Sequence, residues 1–259
     1  MMEQLKHGIG SDDRTDTIHT GSERTELVFV VDRSGSMSGL ESDTIGGFNA
    51  MLAKQRAIAG TCTVTTVLFD NRLETLHDHI DLHAVKDLTS HDYWARGSTA
   101  LLDAIGSTID RIVSVQRHTA EAFRADHVLF VIITDGYENA SRRYSLRQVR
   151  SMIELERTRY HWEFVFLGAN IDAVQTADDF GIAPQCAADF HADGQGVKSS
   201  FAAVSRAATA VRGGVRLEAA SATALFQDVR EDYRSRGAVE ATLRTVPGSY
   251  YRHQPETSR

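Results

Sequence analysis

Two cysteines in 259 residues leave no basis for a disulfide framework. Cys62 lies in the strand-like run TCTVTTVLF and Cys186 in PQCAADF, and neither has a His or Cys beside it at metal-ligand spacing. Both read as small buried hydrophobes. Lysine is scarce, no basic run occurs and the formal net charge is -7. A nucleic-acid partner, which requires basic surface, is therefore not expected. The longest apolar runs are strand-sized, far short of the ~20 residues of a membrane helix, so no membrane partner is expected either. The opening MMEQLKHGIGSDDRTD has no apolar core of signal-peptide type, and the expected setting is the reducing cytoplasm. Internal repeats and low-complexity tracts are also missing.

What is present is ordinary globular composition, 42% hydrophobic and 24% charged, at a length that suits one large α/β domain with extensions. Residues 1–24 are polar, without periodicity, and read as a disordered arm. From Glu26 apolar strands alternate with amphipathic helices. LVFVV, VLFVIIT and EFVFLG are apolar on both faces, as central parallel strands are when helices cover both sides. LETLHDHIDL alternates more strictly, as an edge strand does. Only Asp70 to Arg72 separates it from CTVTTVLF, which enforces an antiparallel hairpin. CAADFH is the last strand candidate.

Helices are expected over Thr44 to Ile58, Thr99 to Val115, Leu146 to Arg159 and about Ile171 to Phe180. Another carries Val197, Phe201, Val204, Ala208 and Val211 on one face. The expected fold is α/β, a doubly wound, mostly parallel open sheet with one antiparallel edge strand, over residues 25–212. Residues 213–259 read as a C-terminal helical extension followed by a polar tail that holds Tyr250 and Tyr251.

In an open α/β sheet, ligands bind outside the carboxyl ends of the strands, and three loops leaving such ends carry oxygen donors. DRSGS supplies Asp32, Ser34 and Ser36, RGSTALLD supplies Thr99, and IITDGYEN supplies Asp135. Taken singly, these residues also suit helix caps and turns. Together they converge two carboxylates and three hydroxyls on one mouth of one sheet. Oxygen-only donors suit a hard divalent cation such as Mg2+. Five protein oxygens leave at least one octahedral position open to an outside anion.

D-x-S-x-S after an apolar strand, with Thr99 and the TDG of residues 134–136, resembles the metal-ion-dependent adhesion site of von Willebrand factor type A domains. The resemblance spans roughly Glu26 to Arg212. It implies that Ser34, Ser36 and Thr99 bind the metal directly and that Asp32 and Asp135 act directly or through water. It further implies protein binding rather than catalysis, with Mg2+, or Mn2+ in its place, and a partner that supplies a Glu or Asp carboxylate. Without a signal peptide or a disulfide framework, the chain looks more like bacterial intracellular stand-alone members, some of which work with AAA+ ATPases or in stress-response systems. An accessory subunit that presents substrates to such an ATPase would use the same site.

A rival of another class is a metal-dependent phosphoryl-transfer or hydrolytic enzyme. It would need a cation against the phosphoryl charge. The loop GANID has no lysine and no G-x-x-x-x-G-K occurs, so Arg33 or Arg96 would have to serve. Other features have plainer readings. His77 and His79 fit a solvated edge face, and the charges of RQVRSMIELERTR an exposed helix face opposite Val149 and Ile153. Glu138 and Asn139 either border the metal site or serve the loop. Tyr93 and Trp94 either line a docking rim or pack beneath the RGST loop.

Overall fold

The computed structural model describes residues 23–245, with side chains described to 237. The arm before residue 23 and the tail beyond 245, with its two tyrosines, lie outside the described residues. Six strands form one sheet: β1 (Arg24–Asp32), β2 (Thr61–Phe69), β3 (Leu73–Asp81), β4 (His127–Thr134), β5 (Glu163–Gly168) and β6 (Ala187–Asp189). Their order is β3-β2-β1-β4-β5-β6. Only β2 and β3 pair antiparallel, because the three residues between them allow a hairpin and nothing longer. The other pairs are parallel.

The helices are α1 (Glu41–Arg56), α2 (Leu101–His118), α3 (Leu146–Arg159), α4 (Ala173–Asp179), α5 (Gly194–Arg212), α6 (Ala219–Leu225) and α7 (Gln227–Thr245). The chain leaves β1 in one direction to β2 and β3, then returns to build β4, β5 and β6 on the other side. With right-handed crossovers this reversal puts α1 and α2 on opposite faces. It also makes the carboxyl ends of β1 and β4 the switch point where such sheets bind ligands. Among the described residues, no helix is long and apolar enough to cross a membrane.

Every residue of β5 and all but the first of β1 and β4 are buried, as their two-sided apolar sequences require. On one face α1 packs against α5. The two approach closely at Gly47, where an added Cβ would sit 2.5 Å from the Phe201 ring. Phe29, Phe48 and Phe201 make successive edge-to-face contacts there, at 5.4 and 6.2 Å. After Gly214 (φ +75°) the chain turns back, and Ala222, Phe226 and Val229 join the same core.

Two expectations are overturned. His77 and His79 do not share a solvated face, because β3 bulges opposite Thr65: Val64 pairs with Ile80, but Thr66 with His77. His77 is 5% exposed and its Nδ1 lies 3.0 Å from the Thr66 hydroxyl. His79 takes φ +52° and meets the fully buried Glu26 carboxylate, which also accepts from Thr63 and Thr65 at 3.0 and 2.7 Å. The second concerns α3, where Glu156 falls on the buried face with Val149 and Ile153, not among the solvated charges.

The hydrogen bond that His79 donates to Glu26 raises its pKa above the ordinary value, against a smaller opposing effect of burial. A raised imidazole pKa stabilises the fold fully below about pH 6.5, and the contribution disappears as pH rises through the folded value. In His79→Gln, urea midpoints measured from pH 5.5 to 8.5 should lose that downward slope. An unchanged slope would remove His79 as its source.

Candidate metal centre

The apolar run of β1 ends on Asp32, one strand away from Thr134 at the end of β4, and this adjacency organises the site. Asp32 is fully buried. One carboxylate oxygen accepts from the Ser34 amide at 2.6 Å and the other from the Thr134 hydroxyl at 2.6 Å. Burial raises its pKa, and these donors offset part of the rise. The Ser34 bond folds the loop back, so that a 3-10 turn, Gly35–Met37, directs Ser34 and Ser36 the same way. Their hydroxyl oxygens are 3.0 Å apart. Adjacent vertices of an octahedron with metal–oxygen bonds of ~2.1 Å are about 3.0 Å apart as well.

Thr99 was expected to open a helix, yet α2 starts only at Leu101. The reason is Asn139. Its side chain accepts the Thr99 amide at 2.9 Å, and its own amide donates to the Thr99 carbonyl at 3.0 Å. Clamped on both sides, the Thr99 peptide is held outside the helix with its hydroxyl free to face the site. Glu138 does a different job, accepting from Leu102, Ala140 and Ser141 amides at 2.9, 2.9 and 2.7 Å. It caps α2 and shapes the loop.

Asp135 follows β4 directly. It is 1% exposed, and neither carboxylate oxygen has a hydrogen-bond partner. Burial is the main cause that pushes its pKa up to about 6. The nearby Ser36 hydroxyl offsets part of this without bonding to either oxygen, and the Asp32 charge adds to it. Next to it, a Cβ on Gly136 would sit 3.3 Å from Ser36 Oγ and 3.4 Å from Thr99 Oγ1. Glycine therefore leaves open a point on which hydroxyls from two different loops converge.

All five residues singled out by sequence are thus brought together: Asp32, Ser34, Ser36, Thr99 and Asp135. Two carboxylates disfavoured by burial, one of them unpartnered, stand amid three hydroxyls in a cradle whose donors suit a cation. Among the described residues, no group of three or more His, Cys, Asp or Glu side chains is placed to hold a metal. A metal here therefore depends on the neutral hydroxyls, and the donor set suits a hard, oxygen-seeking ion.

The scaffold beneath was not evident from the motif. Arg33, the unspecified residue of D-x-S-x-S, is fully buried. Its Nε donates to Asp70 at 3.1 Å, and its Nη1 lies 2.7 Å from Glu74. Arg96 donates to the same Asp70 oxygen at 2.7 Å. Burial pulls the Asp70 carboxyl upward, but Arg96, the Arg72 amide and Arg33 outweigh it and hold the pKa below the ordinary value. Tyr93 and Trp94 divide the two roles considered for them. Tyr93 is buried and donates to the Asp32 carbonyl at 2.5 Å, whereas Trp94 is 41% exposed beneath the guanidinium groups of Arg33 and Arg96.

No protein-family model matches the chain, and no curated protein does. Solved structures do match. Proximal thread matrix protein 1 from the mussel byssus, with a zinc-occupied metal-ion-dependent adhesion motif, aligns at TM-score 0.50 and 14% identity, over 72% of this chain and 46% of that one. A mutant PilB minor pilin from Streptococcus sanguinis aligns at TM-score 0.51 and 12% identity, over 75% and 63%. A von Willebrand factor type A structure from Catenulispora acidiphila aligns at TM-score 0.49 and 12% identity, over 71% and 42%. The chain therefore spans less than half of the mussel protein and less than two thirds of the pilin. With the strand order, the single antiparallel hairpin and the three oxygen-bearing loops at the switch point, it has the fold of a von Willebrand factor type A domain.

Proposed function

We propose that the protein is a magnesium-dependent protein-binding module, with Asp32, Ser34, Ser36, Thr99 and Asp135 forming its metal centre. The observation that carries this reading is Asp135, whose two buried oxygens have no partner in a ring of hydroxyls. When bound, Mg2+ (or Mn2+) would supply positive charge and an open coordination position for a Glu or Asp carboxylate of a partner protein. Ser34, Ser36 and Thr99 would hold it directly while adding no charge, which preserves its pull on an outside anion. Asp32, with both oxygens already engaged, anchors the loop and orients what lies above it.

Two features favour a protein as the ligand. Tyr137, beside Gly136, is 61% exposed, and Leu146 is 42% exposed. With Leu101 and Phe180 they border a largely apolar cleft of about 230 Å³ that reaches Gly136 itself. Exposed aromatic and apolar surface next to a charged anchor is the composition of a docking face. The phosphoryl-transfer reading finds less support. Arg33 is fully buried in its ion pairs and Arg96 is held by Asp70, so both cations available to it are engaged in bracing the loop.

Capture from lysate tests the proposal, with wild type and Ser36→Ala compared in magnesium and in EDTA. Ser36 is exposed, so its loss removes a ligand oxygen while leaving the core intact. A partner should be retained by wild type in magnesium and lost by at least about tenfold in the other three conditions. Retention in EDTA, or equal retention by Ser36→Ala, would refute metal-dependent capture.

A further inference from the structure

At the end of the sheet opposite the metal centre, a cavity of about 280 Å³ opens between α2 and α3, beside the amino ends of β4 and β5. It is lined by Gln116 and Arg117 from α2, Arg124 from the segment before β4, Glu156 from α3, and Tyr160 and Trp162 from the turn into β5. Glu156 is 4% exposed. Its hydrogen bonds run through its backbone carbonyl, which accepts the Tyr160 and Trp162 amides at 3.1 Å each. Among the described residues its carboxylate accepts no hydrogen bond and makes no ion pair. Burial raises its pKa, and Arg117 offsets part of the rise.

A second orphan lines the same cavity. Gln116 Oε1 accepts the Ala125 amide at 3.2 Å, which fixes the orientation of the side-chain amide. Its Nε2 is left buried without a partner. The buried Gln116 donor is a costly feature for a fold to retain with nothing to satisfy it, and the Glu156 carboxylate, with no protein partner, meets only what enters the cavity. Both stand beside two guanidinium groups and two aromatic rings.

We propose that this cavity is a binding site for a guanine nucleotide. A guanine edge offers two adjacent N–H donors, which match the two oxygens of one carboxylate, and next to them a carbonyl acceptor for Gln116 Nε2. Tyr160, 48% exposed, supplies flat apolar surface for the ring, with the buried Trp162 beneath the cavity. Arg117 and Arg124, both exposed, are the natural partners of a phosphate. Adenine presents an acceptor where guanine presents a donor, so it would leave the Glu156 carboxylate facing a lone pair.

Calorimetric titration of the full chain with guanosine 5′-monophosphate tests this. EDTA is present throughout, so that phosphate cannot report through the metal centre. GMP should bind at least about tenfold more tightly than adenosine 5′-monophosphate, and Glu156→Gln should erase that preference. Arg117→Ala, at an exposed position, should weaken GMP while leaving guanosine, which has no phosphate, unchanged. No measurable GMP binding, equal binding of the two nucleotides, or an unchanged preference in a folded Glu156→Gln protein would each overturn the assignment.

Discussion

Replacing Asp135 by Asn is expected to stabilise the metal-free protein and to abolish its response to magnesium. Without a cation, the native state holds a carboxylate that is 1% exposed and has no hydrogen-bond partner. Its pKa of about 6, against an ordinary value of 3.8, corresponds to a native-state penalty of roughly 3 kcal/mol above pH 6. The native state keeps a proton that the unfolded chain has already released. The Asp135 contribution to wild-type stability in EDTA should therefore fall as pH rises from about 4 through 6 and level off beyond. Asparagine removes the charge and the slope, for a gain of roughly 1–3 kcal/mol at pH 7.5. For a domain of this size each kcal/mol is about 2–4 °C in Tm. Magnesium at a hundredfold excess over its Kd would return about 2.7 kcal/mol to wild type and nothing to the variant. The ranking of the two proteins should thus close or reverse between EDTA and magnesium, as read by thermal unfolding. A variant less stable than wild type in EDTA would show that the Asp135 charge is not the burden described.

That Asp32, Ser34, Ser36, Thr99 and Asp135 would meet at one switch point was legible in the sequence. D-x-S-x-S and TDG place their donors by short-range geometry: a strand end, an amide folded back onto Asp32, a glycine where a side chain would intrude. Central strands were equally plain, because β1, β4 and β5 are buried on both faces and carry no alternation that a register slip could exploit. Features that rest on contacts distant in sequence were not legible. Nothing in RGSTALLD announces that Asn139, forty residues on, takes the Thr99 amide and delays the helix. The bulge in β3 depends on Glu26, fifty-three residues away, which draws His79 inward and breaks the period of two. Glu156 shares its helix face with Val149 and Ile153 at spacing that sequence shows, yet its charge argued for solvent until the cavity beside it gave the carboxylate a place.

Asp70→Ala should be the most damaging single change to the architecture of the site. Asp70 is fully buried, as is Arg33. One Asp70 oxygen accepts from Arg33 and Arg96 at 3.1 and 2.7 Å, and the other from the Arg72 amide at 2.8 Å. Its backbone is engaged as well, the carbonyl accepting the Ala100 amide at 2.9 Å. Asp70 thereby joins the β2–β3 turn to the loops that carry Ser34 and Thr99. Truncation leaves a buried guanidinium facing only Glu74, which is half exposed, and breaking such a pair typically costs about 3–5 kcal/mol. Because the Asp70 pKa is depressed in the fold, its contribution is present above about pH 4 and is lost as pH falls through the folded value. Acid should therefore narrow the gap between wild type and variant. Adding Arg33→Met removes the stranded charge and should restore most of the lost stability, since apolar replacement of a whole buried pair is often neutral. Magnesium affinity should not recover to the same degree, because the side-chain links from the turn to Arg33 and Arg96 remain cut. Urea unfolding of the double-mutant cycle, with magnesium titrations on each protein, separates the two effects. A cost below about 1 kcal/mol for Asp70→Ala, or full recovery of magnesium affinity in the double variant, would show that the ion pair does not brace the metal centre.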